Sequence, residues 1–165
     1  MFSVTITRKT RNLEKLVEKM ERLSRESVET GVFIEQGEHP TAEMSFVDLA
    51  RMHEEGDGNF PPRTVRPLIL NEMKEQRFMN RLTKHLNSYL LGDNSINYAL
   101  GYIGQDMAKM GRDFFGEVSN PWMTSNASET IIKKGGRNTP LVDEGYLRDA
   151  WAYKTSISDY IVESM

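Results

Sequence analysis

Between Ser95 and Phe115, apolar side chains return at alternating steps of four and three: Ile96, Leu100, Ile103, Met107, Met110 and Phe114. That is the period of one helical face, and it predicts a single helix around which the chain is organised. One position further on, Gly101, Gly104, Ala108 and Gly111 follow the same stepping. The helix therefore carries an apolar ridge beside a shallow groove almost free of side chains. Three glycines inside a helix cost roughly 1 kcal/mol each relative to alanine, so a close contact must offset them. A second helix is expected in the groove, from this chain or from another copy.

The pattern elsewhere alternates between strand and helix periods. Phe2 to Thr7 has the two-residue period of a short strand. Thr10 or Asn12 caps a helix whose stripe is Leu13, Leu16, Val17, Met20 and Leu23, with Glu18/Arg22 and Glu21/Arg25 pairs on the solvated side; this helix is expected to cover something. Val28, Thr30, Val32 and Ile34 alternate as a second strand over 27–35, pairing with the first. Ser45 caps a helix through Phe46, Leu49, Ala50 and His53 that stops at Gly56. The loop from Asp57 to Pro67 is stiffened by Pro61 and Pro62. From Pro67 to Leu91 the reading is one helix of about 25 residues, roughly 37 Å long. Its face of Leu68, Met79, Leu82, Leu86 and Leu90 is interrupted by Glu72 and Glu75.

The four-residue connection Gly92-Asp-Asn-Ser95 folds the two long helices into an antiparallel hairpin. Ser125 or Ser128 then starts a short helix with Ile131 and Ile132, ended by Lys133-Lys-Gly-Gly-Arg137. Thr139 to Val142 is extended, and Asp143 caps a helical turn carrying Leu147, Ala150 and Trp151. Tyr153, Thr155 and Ile157 form a last strand. The expected fold is α+β: a small antiparallel sheet, from the two N-terminal strands and the C-terminal one, covered by helices. It forms one domain over 1–165, with the helical hairpin of about 67–116 inserted between the N-terminal strand-helix-strand and the C-terminal strand.

Composition narrows the chemistry. The 165 residues suit one domain with a real core, and a net charge of −3 supplies no global basic field for nucleic acid or an anionic membrane. With no cysteine there is no disulfide frame, thiolate zinc site or cysteine nucleophile. The N-terminus lacks the apolar core of a signal peptide, and no stretch approaches the roughly 18 apolar residues of a membrane span, so neither export nor a membrane partner is expected. His53-Glu-Glu-Gly-Asp57 lacks the second histidine of a metalloprotease motif, and no metal or other cofactor is expected. Asp143, Glu144 and Asp149 could act as an acid/base pair, but two of them sit where a helix start favours negative charge. Lys133, Lys134 and Arg137 could hold phosphate, with modest, salt-sensitive affinity.

Two separated stretches point further. Val47-Asp-Leu-Ala50, His53-Glu-Glu-Gly56 and Pro61-Pro-Arg63 form the first; Ser128-Glu-Thr-Ile-Ile-Lys-Lys134 and Pro140-Leu-Val-Asp-Glu-Gly-Tyr-Leu-Arg148 form the second. In order and spacing, over about residues 28 to 158, they resemble the tailed-bacteriophage virion morphogenesis family, the tail-completion or head-tail joining proteins. Glu55, Glu144 and Ala150 depart from the family's pattern. The resemblance implies a non-enzymatic structural protein of the phage neck or tail, assembled in the host cytoplasm and located in the virion. Its partners would be itself, as a homo-oligomeric ring, and the neighbouring connector, neck and tail proteins, with genomic DNA passing without specific binding. The implied contact residues are Glu54, Phe60, Pro61, Pro62, Arg63, Arg66, Pro140, Leu141, Asp143, Gly145, Leu147 and Arg148. Arg63 and Arg148 would reach carboxylates on a neighbour. A nucleic-acid-binding accessory protein of DNA packaging, using Lys133, Lys134, Arg137, Arg63 and Arg66, is the rival reading.

Overall fold

A computed structural model describes residues 10–58, 61–117, 123, 125–142 and 144–162. The elements in chain order are α1 (Thr10–Leu23), β1 (Val28–Gly31), a 3-10 turn (Ile34–Gln36), α2 (Phe46–Glu55), α3 (Arg66–Glu72), α4 (Gln76–Leu91), α5 (Ile96–Asp113), α6 (Ser128–Lys133), α7 (Tyr146–Asp149), β2 (Ala152–Thr155) and β3 (Ser158–Val162). The fold is α+β, with α4 and α5 forming the long helical hairpin.

Helix α5 starts where the sequence places it, with the Ser95 hydroxyl accepting from the Tyr98 amide at 3.2 Å. It runs through both parts of the interior. Near its start, Ile96, Ala99, Leu100 and Ile103 pack with Tyr89 of α4 and with Leu82, Leu86 and Leu23. Just beyond its end, Phe115 joins Val65 and Ile69 near α3's start, Met123 and Leu147. Across the hairpin, Arg81 pairs with Asp106 at 2.8 Å and the His85 ring stacks on Tyr102.

The sheet is antiparallel in the order β1-β2-β3, with Val28 opposite Thr155 and Gly31 opposite Ala152. The C-terminal region thus supplies a hairpin, β2 and β3, where the sequence suggested one strand. The expected 27–35 strand is also shorter than read. After Gly31 the chain turns away, and the Gln36 side chain holds the 3-10 turn by accepting from the Phe33 amide and donating to the Ala150 carbonyl, each at 2.8 Å. The expected Phe2–Thr7 strand lies outside the described residues.

The glycine groove of α5 is filled from within the chain, and by a strand. A Cβ placed on Gly104 would lie 2.1 Å from the Tyr153 ring, and one on Gly111 would lie 2.0 Å from the Trp151 indole. Both aromatics belong to the segment entering and forming β2, so the expected second helix is replaced by two rings laid against bare helical backbone. The seam is also polar. Arg112 donates to the Trp151 carbonyl at 2.6 Å, and the Trp151 indole N–H donates to the Thr30 hydroxyl at 3.2 Å.

The predicted helix over 67–91 is two helices. Its chain breaks at Met73 to Glu75, and Glu75 is extended at the start of α4. Burial explains the break. Ile69 and Phe78 are both buried, yet nine residues of continuous helix are about two and a half turns and would set them on opposite faces. Interrupting the helix at the charged Glu72 to Glu75 stretch resets the phase, so each helix turns its own apolar side inward.

Helix α1 carries the stripe the sequence predicts, but most of it faces outward. Leu13, Leu16, Val17 and Met20 are 63%, 37%, 46% and 54% exposed, and only Leu23 joins the interior. Lys19 tethers the helix, donating to the carbonyls of Tyr89 and Leu90 at 2.9 and 3.1 Å. A cation at the C-terminal end of α4 is also favoured by that helix's dipole.

Candidate functional site

The proline loop is anchored by the end of α2. The Glu54 carboxylate accepts from the Val65 amide at 2.9 Å and the Arg66 amide at 3.2 Å, and the His53 carbonyl accepts from the Arg63 amide at 2.7 Å. Amides at a helix start have no partner within their own helix, so Glu54 caps α3 from eleven residues away. A carboxylate there also meets the positive end of the helix dipole. The sequence carries no local signal for this cap, because ordinary capping residues stand directly before the helix they serve.

The second stretch packs beside the first. Pro140 is fully buried, and its carbonyl accepts from the Gly116 amide at 2.9 Å. Lys134, read from sequence as part of a phosphate-binding loop, donates to the Thr139 carbonyl at 3.2 Å and the Val142 carbonyl at 2.5 Å. Its ammonium therefore holds the segment carrying Pro140. Gly145 precedes α7 at φ +94, a left-handed conformation that glycine adopts without penalty.

Between the two stretches lies a cavity of about 340 Å³. Its walls include His53 and Arg63 from the first stretch and Lys134, Glu144 and Tyr146 from the second. His39 forms a further wall, its ring edge-on to Phe46 and Tyr146. Asn126 also lines the cavity. It is buried, its backbone amide donates to the Asn138 side chain at 3.0 Å, and its own amide nitrogen has no hydrogen-bond partner among the described residues.

Burial and a neighbouring cation set the electrostatics of this cavity. Burial first, and the neighbouring Arg63 cation second, push His53 down to about 4, so its ring is neutral near neutral pH. Burial also lowers the Arg63 guanidinium. His39 Nδ1 accepts from the amides of Thr41 and Ala42 at 3.2 and 3.0 Å, with the Thr41 hydroxyl 3.5 Å from the same nitrogen. No group of three or more metal-ligating side chains occurs among the described residues.

The contact residues suggested by the resemblance separate by burial. Pro61, Pro62 and Arg66 are exposed, while Glu54, Arg63, Leu141 and Arg148 are half-buried. Pro140, Gly145 and Leu147 are buried. Leu147 fills the interior beside Phe115, Pro140 is tied to the Gly116 amide, and Gly145 shapes the turn before α7. Phe60 and Asp143 lie outside the described residues. Arg148 pairs with the adjacent Asp149 at 2.8 Å, and that hydrogen bond raises its already high pKa.

A second concavity, a more open groove of about 490 Å³, lies among β1, α2 and α3. Val32, Val47, Ala50, Leu70 and Met73 make it mainly apolar, and Arg51, Glu55 and Arg66 stand along it. No described helix is long and apolar enough to cross a membrane. No family model, curated protein or solved structure matches the chain.

Proposed function

We propose that the protein is a non-enzymatic structural component of a phage neck or tail, joining the head connector to the tail as a ring of copies. The observation that carries this reading is convergence. The two stretches behind the family resemblance, some eighty residues apart in the chain, wall a single cavity through Arg63 and His53 on one side and Glu144 and Tyr146 on the other. Motifs that meet in space behave as one unit, and the stiff Pro61-Pro62 segment beside them stands exposed. Rigid loops lose little freedom on association, which favours contact with a neighbouring subunit. In a ring such contacts run head to tail between unlike patches.

The test is genetic and visual. Removing the gene from the phage that carries it should leave heads and tails unjoined in electron micrographs, and Arg63→Glu should do the same while the purified variant keeps its helical circular dichroism. Particles that assemble and infect normally without the chain would overturn the reading. The nucleic-acid alternative loses part of its basis, because Lys134 is committed to backbone carbonyls. Salt-dependent binding of duplex DNA by the pure protein would favour it.

A further inference from the structure

We infer that the outward apolar face of α1 seats in the groove between α2 and α3 of a second copy of this chain. This rests on the self-assembly reading above and specifies where copies join. Three features of the molecule support it.

The first is that each surface lacks a cover among the described residues. On α1, Leu13, Leu16, Val17 and Met20 are exposed, and α1 is held in place by Lys19 at the end of α4. At the groove, Leu70 is 52% exposed above the floor of Val32, Ala50 and Met73. An amphipathic helix laid in an apolar groove is a standard recognition mode, reading anchors at i, i+3, i+4 and i+7. Leu13, Leu16, Val17 and Met20 have that spacing.

The second is charge. Glu14, Glu18 and Glu21 lie along one flank of the α1 stripe and are exposed. The groove carries the exposed guanidinium residues Arg51 and Arg66, the former also paired with Asp48 at 2.6 Å. Glu54 and Glu55 also line the groove, and Glu54 is already engaged, accepting from the Val65 and Arg66 amides, which leaves Glu55 as the acidic group on the rim.

The third is placement, which makes the contact intermolecular. Leu23 fixes the end of α1 to the part of the interior around Tyr89 and Leu100. Val32, Ala50 and Met73 of the groove pack instead on the part around Val65 and Ile69. Seating α1 in its own groove would require releasing both Lys19 and Leu23. Two unlike patches on one chain give a heterologous contact, which closes into a ring or extends as a filament.

The absence of cysteine makes the test direct. Full-length Val17→Cys and Leu70→Cys variants are mixed at high concentration and joined with a short bismaleimide, so no link within one chain can bridge the two positions. A mixed 17–70 dimer is expected in several-fold excess over either homodimer, and Val17→Asp should abolish the wild-type multimer in native mass spectrometry. A dominant 17–17 link, meaning two α1 faces meeting symmetrically, overturns the inference. A wild-type multimer that forms no 17–70 link, or that survives Val17→Asp, also overturns it while leaving self-assembly standing. A chain that stays monomeric throughout the accessible concentration range, including millimolar, removes this contact and the self-assembly on which it rests.

Discussion

Helices α1 and α5 begin from the same kind of sequence, apolar residues at steps of three and four with charges opposite, and end in opposite surroundings. On α5 the stripe is buried against α4, and the glycine groove beside it is filled by Trp151 and Tyr153. On α1 the stripe faces outward, and the helix is attached chiefly by Lys19 and Leu23. A period of 3.6 residues tells which side of a helix is apolar, and is silent on what covers it. The covered helix contributes stability, whereas the face of α1 has no cover among the described residues.

The largest expected effect is on the covered side. Leu100→Ala should lower unfolding free energy by about 2–5 kcal/mol in urea titrations, the usual cost of a cavity in a packed interior. A loss within experimental error would break the contrast, since it would make α5's stripe no more buried than α1's. Next, Gly104→Ala should cost about 1–3 kcal/mol, because the new methyl collides with the Tyr153 ring and overpacking outweighs the helix-propensity gain. Gly101→Ala should instead be neutral or stabilise by up to about 1 kcal/mol, because its Cβ would meet only the Tyr153 hydroxyl, at an ordinary 3.8 Å. Equal behaviour of the two would refute the close ring-on-backbone contact.

Smaller effects belong to the periphery. Glu54→Ala leaves two amides at the start of α3 without their cap and should cost about 1–2 kcal/mol. His53 gives a pH signature. Its pKa of about 4 in the fold is below the value near 6.5 of an exposed histidine, so between those values the unfolded chain binds the proton and the fold does not. Stability from this group is complete above about 6.5, falls as pH drops through the window to about 4, and is constant below. The unfolding free energy of the wild type, from urea titrations at each pH, should drop across that window more than that of His53→Gln, by an amount on the order of 1 kcal/mol after solvent screening. The smallest effect is expected on the uncovered side. Val17→Ser in dilute monomer should change stability by less than about 0.5 kcal/mol, and a larger loss would mean that α1's face is covered within its own chain.

Much of this was legible beforehand because it depends on neighbours in sequence. Ser45 and Ser95 cap the helices they precede, Gly56 and Gly92 end theirs, and the short turn at Gly92 folds α4 onto α5. The break between α3 and α4 was half-visible in Glu72 and Glu75, yet its cause, burying Ile69 and Phe78 together, depends on a shared interior that no local window contains. The same holds for Glu54, whose partners lie eleven and twelve residues away. At the candidate site, the sequence supplied Arg63 and the segment after Pro140; it did not reveal His39, Asn126 or the groove edged by Leu70.

By itself, then, the order of amino acids determined helix starts and stops, the apolar side of each long helix, and the need for something to lie against Gly104 and Gly111, because periodicity, capping and glycine's missing side chain act over a few residues. Only the tertiary structure decided that rings from the segment entering and forming β2 meet those glycines, that Pro140 and Leu147 go inside, and that the described residues leave the face of α1 exposed. The reason is that burial is a competition among all apolar surfaces of the chain for one interior, and its outcome depends on every element at once.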